Sequence, residues 1–393
     1  MKNNRTFLEK LLDGTEVEWK PLWSVTTWDK RFNAVEKEKQ PKVIKYHYYL
    51  ASELKPLIVD GGNVKLLTTN ESDIWTTEEL VQSNISEGEI IAIPWGGNPI
   101  VQYYKGKFVT ADNRIATSNN TKILDNKFLY YFLLSKLDVI SSFYRGSGIK
   151  HPSMYHVLEM LIPIPPLPVQ TEIVRILDAL TALTSELTSE LTLRRKQYEY
   201  YREKLLSEEE LEKVGFEWKT LDQISENLDS KRKPITSGLR TSGKIPYYGA
   251  SGIVDYVKDY IFDGNFLLIS EDGANLLARN TPIAFSASGK IWVNNHAHIL
   301  KFETYEERRF IEFYLNKIDL TPYISGAAQP KLNKKNLNSI KFPIPSIPEQ
   351  QRIVSILDKF EALTNSITEG LPLSIEQSQK RYEYYRELLL DFS

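Results

Sequence analysis

The chain has 393 residues, of which 41% are hydrophobic, so it is long enough to form two or three domains with cores of their own. Its 49 basic and 51 acidic side chains nearly cancel, and any binding to nucleic acid must therefore use local patches. The absence of cysteine excludes disulfides, thiolate zinc sites and a cysteine nucleophile. No stretch approaches the roughly 18 apolar residues of a membrane span, and the first residues lack the apolar run of a signal peptide. We therefore expect a cytoplasmic protein that does not contact membranes.

Short β-rich runs form the first predicted domain. EIIAIPW (89–95), IVQYY (100–104) and KFVTA (107–111) are rich in β-branched and aromatic residues, and Gly or Asn turns separate them. The next apolar segment, 127–140, predicts a short helix. Strands followed by a helix indicate an α+β domain.

A long helix is predicted after this domain. The segment PIPPLP (163–168) cannot form a central strand, but proline is tolerated in the first turn of a helix. From Ile173, alternating steps of four and three residues meet mostly apolar side chains as far as Leu205. This heptad spacing is typical of a helix that packs along another helix.

A second domain repeats the first one faintly. The segments that correspond are EWKPL (18–22) with EWKTL (217–221), EGEIIAI (87–93) with DGNFLLI (263–269), GKF (106–108) with GKI (289–291), and the helix at 127–140 with a predicted helix at 306–317. We therefore expect a second α+β domain of the same fold.

A second long helix repeats the first much more clearly. The lead-in PIPSIP (343–348) returns, and the phrase KQYEYYREKLL (196–206) returns as KRYEYYRELLL (380–390). Other repeated positions are Gln170, Ile173, Leu177 and Asp178, which correspond to Gln350, Ile353, Leu357 and Asp358. A phrase used twice indicates a piece of architecture rather than a catalytic motif.

The second copy contains an interruption, TEGLP (368–372). Glycine ends helices and proline prevents their continuation, so we expect a break there, with Ser374 and Gln377 capping a fresh helix. The second copy has four extra residues ahead of the shared phrase. The break therefore acts like the four-residue insertion that is called a stutter in coiled coils, and it restores the register of the apolar side chains along the helix.

The repeats predict four segments. These are a first domain (1–160), a first helical spacer (161–206), a second domain (207–342) and a second helical spacer (343–393). EKLL near the start (9–12) resembles EKLL at the end of the first spacer (203–206), as if the sequence were nearly circular. The predicted fold class is α+β, with two similar domains separated by two long antiparallel helices in a pseudo-twofold repeat. A helix of about 35 residues is about 50 Å long.

One segment has the spacing of a phosphate-binding loop. GLRTSGK (238–244) is followed by Ile245, which replaces the hydroxyl that would hold magnesium, and by Pro246, which obstructs the helix needed to bind phosphate. The sequence also lacks an Asn-Pro-Pro-Tyr-like methyltransferase segment and a glycine-rich cofactor loop. We therefore expect no catalytic or cofactor-binding residues in this chain.

Two further motifs have a structural alternative. EWK (217–219) imitates half of a metal-dependent nuclease site, but its twin at 18–20 marks it as a repeated strand edge. His296 and His298 have no third metal ligand in view, so packing or contact with a base is the alternative to metal binding. We expect no metal site.

Several motifs together resemble one protein family. They are the paired Pro-Ile-Pro helices, the Tyr-Glu-Tyr-Tyr-Arg-Glu phrases, the Gly-Leu-Pro break, IPWGGNP (93–99), YRGSGIKHPSM (144–154), IPYYGASGI (245–253) and GKIWVNNHAH (289–298). Across essentially the whole chain they resemble the DNA-specificity subunit of a type I restriction-modification system. The resemblance implies two target-recognition domains that each read one half of a split sequence in double-stranded DNA. It also implies that the helices set the gap and dock two modification subunits.

The resemblance implies further partners and cofactors. The chain by itself would be non-catalytic, and the modification subunits would bring S-adenosylmethionine and flip a target adenine out of the duplex. Restriction and translocase subunits would bring ATP and Mg²⁺ for cleavage. Ile149-Lys150-His151-Pro152 in the first domain differs from Ala327-Ala328-Gln329-Pro330 in the second. The two half-sites are therefore expected to differ, which makes the whole target asymmetric.

Local charge is compatible with DNA binding, since 91–158 has a net charge of +5 and 213–342 a net charge of +4. Arg, Asn and Gln are the favoured candidates because their donors and acceptors match base edges in the major groove. The candidates in the first domain are Asn98, Asn113, Arg114, Arg145 and Lys150, with Tyr103, Tyr104 and Lys107 for the DNA backbone. The candidates in the second domain are Lys231, Arg232, Lys233, Tyr247, Tyr248, Lys290, Asn294, Asn295, Gln329 and Lys331. A solvated lysine or a turn-forming asparagine is the alternative for each.

The repeated phrases contain two tyrosine clusters. Their members are Tyr198, Tyr200, Tyr201, Tyr382, Tyr384 and Tyr385. We expect them to contact partner subunits or to pack between the helices, and both possibilities stay open. Two other classes of function also remain: a coiled-coil scaffold that binds proteins and not DNA, and a hydrolase with a hidden site.

Overall fold

The chain divides into two units in a computed structural model that describes residues 7–326 and 329–392. The first unit comprises 7–186 with 375–392, and the second comprises the described part of 187–374. No helix within the described residues is long and apolar enough to cross a membrane.

The first unit contains most of the N-terminal half. Its elements in chain order are α1 (Phe7–Leu12), β1 (Glu18–Pro21), α2 (Leu22–Val25), β2 (Thr26–Trp28), α3 (Ala51–Leu54), β3 (Val64–Leu67), β4 (Trp75–Thr76), α4 (Glu78–Val81), β5 (Ser86–Pro94), β6 (Gln102–Thr110), β7 (Asn113–Ser118), α5 (Asn126–Ser135), α6 (Leu137–Ser142), β8 (Tyr144–Arg145), β9 (His151–Pro152), α7 (Met154–Glu159), β10 (Leu161–Ile164) and α8 (Leu167–Leu205). Helix α8 continues into the second unit beyond Glu186.

The second unit repeats much of this order. Its elements are α9 (Glu208–Val214), β11 (Phe216–Lys219), α10 (Leu221–Ile224), β12 (Glu226–Asn227), β13 (Ser242–Gly249), β14 (Gly252–Val257), β15 (Phe262–Ser270), α11 (Asn275–Ala278), β16 (Ala284–Val293), β17 (Ala297–Lys301), α12 (Tyr305–Lys317), α13 (Lys334–Ser339), β18 (Phe342–Pro345), α14 (Ile347–Asn365) and the start of α15 (Gly370–Leu390). From Ile375 onward α15 belongs to the first unit.

The two units contain six-stranded sheets of the same topology. The strand order is β2-β7-β5-β6-β3-β4 in the first and β12-β17-β15-β16-β13-β14 in the second. In each sheet one neighbouring pair is parallel, β3 with β6 and β13 with β16, and the other pairs are antiparallel. The predicted α+β class and internal repeat are confirmed at the level of strand order.

Each sheet is curled, so that segments from opposite ends of its strands lie close together. Strand β6 ends at Thr110 beside the start of β5, yet β7 begins at Asn113 and pairs with the end of β5. The strand register places glycines opposite each other in both sheets, Gly88 with Gly106 and Gly264 with Gly289. Gly106 has φ +139°, a conformation that favours glycine. The curl brings the loops after several strands together, and this is where the candidate site lies.

The central strands are buried on both faces. Residues 90–93 of β5 alternate between two apolar cores, and residues 266–269 of β15 do the same. Helices α5 and α12 contribute Phe128 and Phe310 to the core on one face of each sheet. Because both faces are covered, the sequence of these strands is a continuous apolar run.

Helices α5 and α12 begin at side-chain caps. The Asp125 carboxylate accepts hydrogen bonds from the amides of Lys127 and Phe128, and Thr304 forms a capping box at the start of α12. The predicted helix at 306–317 is confirmed as α12. The helix predicted at 127–140 is instead two helices, α5 and α6, with Lys136 between them.

The proline lead-ins form two-stranded sheets. Trp19 of β1 lies opposite Pro163 of β10, and Trp218 of β11 lies opposite Pro343 of β18. Proline is acceptable there because a two-stranded sheet leaves half of its backbone groups unpaired. The repeated EWK segments are strand edges, as the sequence predicted.

Each unit contains an antiparallel helix pair. In the first unit, Thr184 of α8 and Ser378 of α15 share a hydrogen bond of 2.8 Å, while Leu177 lies in one core with Leu389. Later residues of α15 thus match earlier residues of α8. In the second unit, Tyr201 of α8 stacks on Phe360 of α14, with ring centroids 5.5 Å apart.

The interruption in the second long helix is confirmed, but its details differ from the prediction. Helix α14 ends at Asn365 and α15 begins at Gly370, so the glycine starts a helix and does not end one. Gly370 has φ +78°, and a Cβ there would lie 2.5 Å from the Ala362 carbonyl oxygen. Ser374 lies within α15 and donates to the Gly370 carbonyl at 2.9 Å, so it does not cap a helix.

Candidate DNA interface

In the first unit, the loops that follow β5, β6 and β8 lie together. We call this region the first loop end; it comprises 95–99, 111–112 and 145–151. The Gly97 amide donates to the Lys150 carbonyl at 3.1 Å, and the Trp95 amide donates to the Asp112 carbonyl at 3.0 Å. Exposed polar candidates on these loops are Asn98, Arg145 and Lys150.

The second unit builds an equivalent loop end, the second loop end, from 271–274, 294–296, 325–326 and 329–331. The Gly273 amide donates to the Pro330 carbonyl at 3.0 Å, and the Glu271 amide donates to the His296 carbonyl at 2.9 Å. Gly97 and Gly273 have φ of +100° and +104°, so the two turns share a backbone conformation that favours glycine. Exposed polar candidates are Asn295, Gln329 and Lys331.

The structural match between the loops corrects the one drawn from the sequence. The sequence comparison placed Pro330 opposite Pro152, whereas the glycine bonds place Pro330 opposite Lys150. The bridge of Ser325 with Lys331 then corresponds to that of Arg145 with His151. Ala327 and Ala328, which the comparison included, lie outside the described residues.

Two asparagine candidates are buried and serve the fold. Asn113 is 0% exposed, and its side-chain amide donates to the carbonyls of Leu67 and Thr68, both at 3.1 Å. Asn294 is buried as well, and its side-chain oxygen accepts from the His296 amide at 2.8 Å. The Asn113 side chain thus joins β7 to the end of β3, whereas the Asn294 side chain shapes its own turn, and burial withdraws both from the surface.

Two arginine candidates are also held inside the protein. The Arg114 guanidinium lies 4.2 Å from the centre of the Trp95 ring and donates to Asp112 at 2.9 Å. Arg232 donates to Glu271 and to the Ala297 carbonyl, both at 2.7 Å. These contacts engage part of each guanidinium, and only 5% of the Arg114 side chain and 13% of the Arg232 side chain are exposed.

The tyrosine candidates pack against the sheets. Tyr247 is buried, and its hydroxyl accepts from the Ile235 amide at 2.9 Å. Tyr248 stacks on Phe285, while Tyr104 packs on Phe108. Tyr103 donates to Glu89 at 2.6 Å. None of them belongs to the segments of the loop ends.

The remaining lysine candidates lie at different places, Lys231, Lys233 and Lys290 exposed and Lys107 half-buried. The Lys233 amide donates to the Val293 carbonyl at 3.4 Å, which places this residue beside the second loop end. Lys231 lies 4.0 Å from Glu226, and Lys107 lies 2.8 Å from Glu78. The Lys290 ammonium lies 4.7 Å from the centre of the Tyr260 ring.

An aspartate in each unit was missed by the sequence analysis. The Asp29 carboxylate accepts from the Ile115 amide and the Asp229 carboxylate accepts from the Ile299 amide, both at 3.0 Å. Each carboxylate therefore ties the strand before it to β7 or β17. The only signal in the sequence was a charged residue just after a short apolar run, which is too common to be informative.

The electrostatics of these two aspartates differ. Burial raises the pKa of Asp29 above its ordinary value, although a hydrogen bond from Tyr48 opposes this. Burial also acts to raise the pKa of Asp229, but the hydrogen bonds from His298 and the Ile299 amide and the charges of His298 and Arg232 together outweigh it and hold that pKa below its ordinary value. The second unit thus favours the ionised carboxylate through these neighbours.

The two histidines are engaged within the second unit. His298 is buried, with Nδ1 2.6 Å from Asp229 and Nε2 2.7 Å from the Leu332 carbonyl. His296 Nδ1 lies 2.9 Å from Asp272. Within 7–326 and 329–392, no group of three or more metal-binding side chains is found. The phosphate-loop-like segment leads into β13 rather than into a helix.

The tyrosines of the repeated phrases divide into two sets. Tyr198 packs against the core of the second unit, and Tyr382 and Tyr385 against that of the first. Tyr201 stacks on Phe360, as described above. The other two tyrosines, Tyr200 and Tyr384, are 59% and 61% exposed. Four of the six therefore have packing partners within the units, although Tyr201 is still 40% exposed, and contact with a partner subunit stays a prediction for Tyr200 and Tyr384.

A duplicated curled sheet with a polar loop end in each copy defines a class of proteins with two specificity domains. Consistent with this, the family model for the type I restriction modification DNA specificity domain matches residues 33–193 and 213–377. The chain belongs to this family of type I specificity subunits.

Individual relatives match over nearly their whole length. The chain is 40% identical to a putative type I restriction enzyme specificity subunit of Haemophilus influenzae, with 100% of both chains covered. It is 34% identical to the EcoR124I/EcoR124II specificity subunit of Escherichia coli, covering 98% of this chain and 97% of the relative. The crystal structure of a type I S subunit from M. genitalium aligns with a TM-score of 0.63 at 20% identity, covering 96% of each chain, and shows the shared fold.

Proposed function

We propose that this chain reads a split, asymmetric DNA sequence, one half with each loop end, as the specificity subunit of a type I restriction-modification complex. The observation that carries the proposal is that equivalent loop ends present different side chains. The first presents Asn98, Arg145 and Lys150, and the second presents Asn295, Gln329 and Lys331, with Lys233 beside it. Arg and Lys match guanine edges, and Asn and Gln match adenine edges, so different sets select different half-sites.

The proposal assigns the chemistry to partner subunits. Two modification subunits would bring S-adenosylmethionine and methylate adenine, and restriction and translocase subunits would use ATP and Mg²⁺. The chain itself would contribute binding and positioning. The repeat within the chain supports two copies of the modification subunit, because each unit has the same helix pair and the same exposed tyrosine position.

The test is methylation by the complex reconstituted with modification subunits on a library of DNA duplexes. We expect methyl transfer at one split, asymmetric sequence, and binding of the chain to that DNA that weakens steeply as salt rises. Binding that ignores salt, with no methylation at any split sequence, would instead favour the protein-binding scaffold. Turnover by the isolated chain would favour the hydrolase.

A further inference from the structure

An aspartate in helix α8 joins that helix to the sheet domain of the first unit. Asp178 accepts a hydrogen bond from the Lys127 ammonium at 2.7 Å through one oxygen and from the Tyr131 hydroxyl at 2.6 Å through the other. Both donors lie on α5, four residues apart, and therefore on one face of that helix. The carboxylate thus uses both of its oxygens to hold α5 against α8.

The repeated aspartate does the same in the second unit. Asp358 of α14 accepts from the Tyr305 hydroxyl at 2.7 Å through one oxygen. Its other oxygen accepts from the Arg309 guanidinium at 3.0 and 2.7 Å. The donors lie on α12, again four residues apart. In both units one carboxylate therefore receives one cation and one tyrosine hydroxyl.

The order of the donors is inverted between the units. In α5 the cation comes first and the tyrosine second, whereas in α12 the tyrosine comes first and the cation second. The donors lie in the diverged domains, and the acceptor lies in the repeated helices. We call each of these carboxylates together with its two donors a joint. The two units thus have the same kinds of donor in the joint, but the positions from which the cation and the tyrosine come are exchanged.

Each joint continues into the same strand of the curled sheet. In the first unit, the Lys127 ammonium lies 5.3 Å from the centre of the Tyr103 ring on β6. In the second, Arg309 donates to Glu312 at 2.6 Å, and Glu312 accepts from Ser286 on the equivalent strand, β16. Burial acts against the charge of Arg309, but its carboxylate neighbours raise its pKa above its ordinary value. Arg309 therefore stays charged.

We propose that Asp178 and Asp358 are positioning residues, each of which fixes the angle of the sheet domain, and hence of its loop end, on the repeated helix of its own unit. The inference rests on the proposed function and adds to it. Apolar packing alone allows small rotations of a helix, since it has no direction, whereas two hydrogen bonds to a single carboxylate restrict rotation. A complex that lacks the joint should therefore accept half-sites whose spacing differs by a base pair.

The experiment uses the complex with modification subunits and two DNA duplexes, the preferred target and the same half-sites with one base pair added to the gap. Asp178→Asn and Asp358→Asn keep the shape of the side chain but place an amide donor against the donors of α5 or α12. We expect the ratio of methylation on the preferred target to that on the longer one to fall about tenfold, equivalent to about 1.4 kcal/mol. The preferred bases within each half-site should not change.

Matched controls exist on the same helices. Glu172 pairs with Arg175 on α8, and Glu349 pairs with Arg352 on α14, each within its own helix. Glu172→Gln and Glu349→Gln remove a carboxylate charge without touching a sheet domain, so the ratio should stay as in the wild type. If the aspartate variants lower only the melting temperature and leave the ratio unchanged, the residues are merely structural and the proposal is overturned.

A rescue variant tests the shared chemistry. Lys127→Tyr combined with Tyr131→Arg gives the first unit the donor order of the second, and we expect its methylation ratio to stay within about twofold of the wild type. A ratio as low as that of Asp178→Asn would contradict the joint. If the double variant does not fold, Asp178→Glu takes its place as the rescue variant, because it keeps the carboxylate charge. If the wild-type complex methylates no split target, the proposed function fails and not this inference alone.

Discussion

At the scale of single residues, burial separates the candidates that type alone selected. Asn113, Arg114 and Asn294 have the donors and acceptors that suit base edges, yet the protein uses those groups itself. Arg145 and Gln329 have the same chemistry and remain exposed on the loop ends. Residue type is visible in the sequence, whereas burial depends on which distant segments meet.

Exposed side chains on the two loop ends should control different half-sites. We predict that Arg145→Ala relaxes base preference in one half-site only and that Gln329→Ala relaxes it in the other. Each should cost about 1–3 kcal/mol of discrimination, because a bidentate contact to a base is worth that much. Sequencing of methylated products from a randomised library measures both effects. Arg175→Ala, an exposed arginine on α8, is the control, and a change in both half-sites from either variant would count against the assignment.

The stability contributed by Asp29 and by Asp229 should respond to pH in opposite ways. Because the folded-state pKa of Asp229 is lowered, its contribution to stability is present above the ordinary carboxyl pKa of about 3.9 and is lost as pH falls. Asp229→Asn should therefore lower the melting temperature more at pH 7 than near pH 3.

Asp29 has a raised folded-state pKa, so its ionisation opposes folding once pH rises through that value. Asp29→Asn should therefore be more favourable for stability at pH 7 than near pH 3. Thermal unfolding of both variants at the two pH values measures this difference. The same sign of response in both would contradict the assigned pKa directions.

At the scale of elements, helices with a clear period were predictable and their interruptions were less so. The long helix, its seam and α12 follow from spacing alone, because a period of 3.6 residues persists over many turns. The split of 127–140 into α5 and α6 did not follow, nor did the role of Gly370. That glycine is needed because the chain passes close to the Ala362 carbonyl, a contact that local sequence does not reveal.

The exposed tyrosines on the helices should bind the modification subunits. We predict that Tyr200→Ala and Tyr384→Ala each weaken assembly by about 2 kcal/mol, a roughly 30-fold rise in Kd, because exposed tyrosines on a rigid helix are typical of binding hot spots. Calorimetric titration of modification subunits into the chain measures the change. Tyr256→Ala, on the exposed strand β14, is the control. Equal loss from the control would show that exposure alone is responsible.

At the scale of the whole molecule, the internal repeat is the feature from which the architecture follows. Two copies of one sheet topology, each with its own antiparallel helix pair, account for a family match that occurs twice along the chain. Helix α8 contributes to both units without a break. A change in the length of α8 therefore changes the connection between the two domains that are proposed to read the half-sites.

Inserting or deleting about one turn at 184–190 of α8 should alter the permitted gap between half-sites. The bases preferred within each half-site should stay the same, because the loop ends are built from other segments. Methylome sequencing of cells that carry the wild-type or the altered chain measures both properties. An altered half-site preference with an unchanged gap would falsify the role of α8 in spacing.

By itself, the sequence determined the class of the protein, the repeat and the position of the long helices, because these depend on patterns that recur along the chain. Only the tertiary structure decided which candidate side chains are exposed and which are buried within the curled sheets. It also revealed the joints at Asp178 and Asp358, whose donors lie about fifty residues away and in inverted order. Hydrogen-bonding groups look alike in a sequence, and what separates their roles is whether folding has already given each of them a partner.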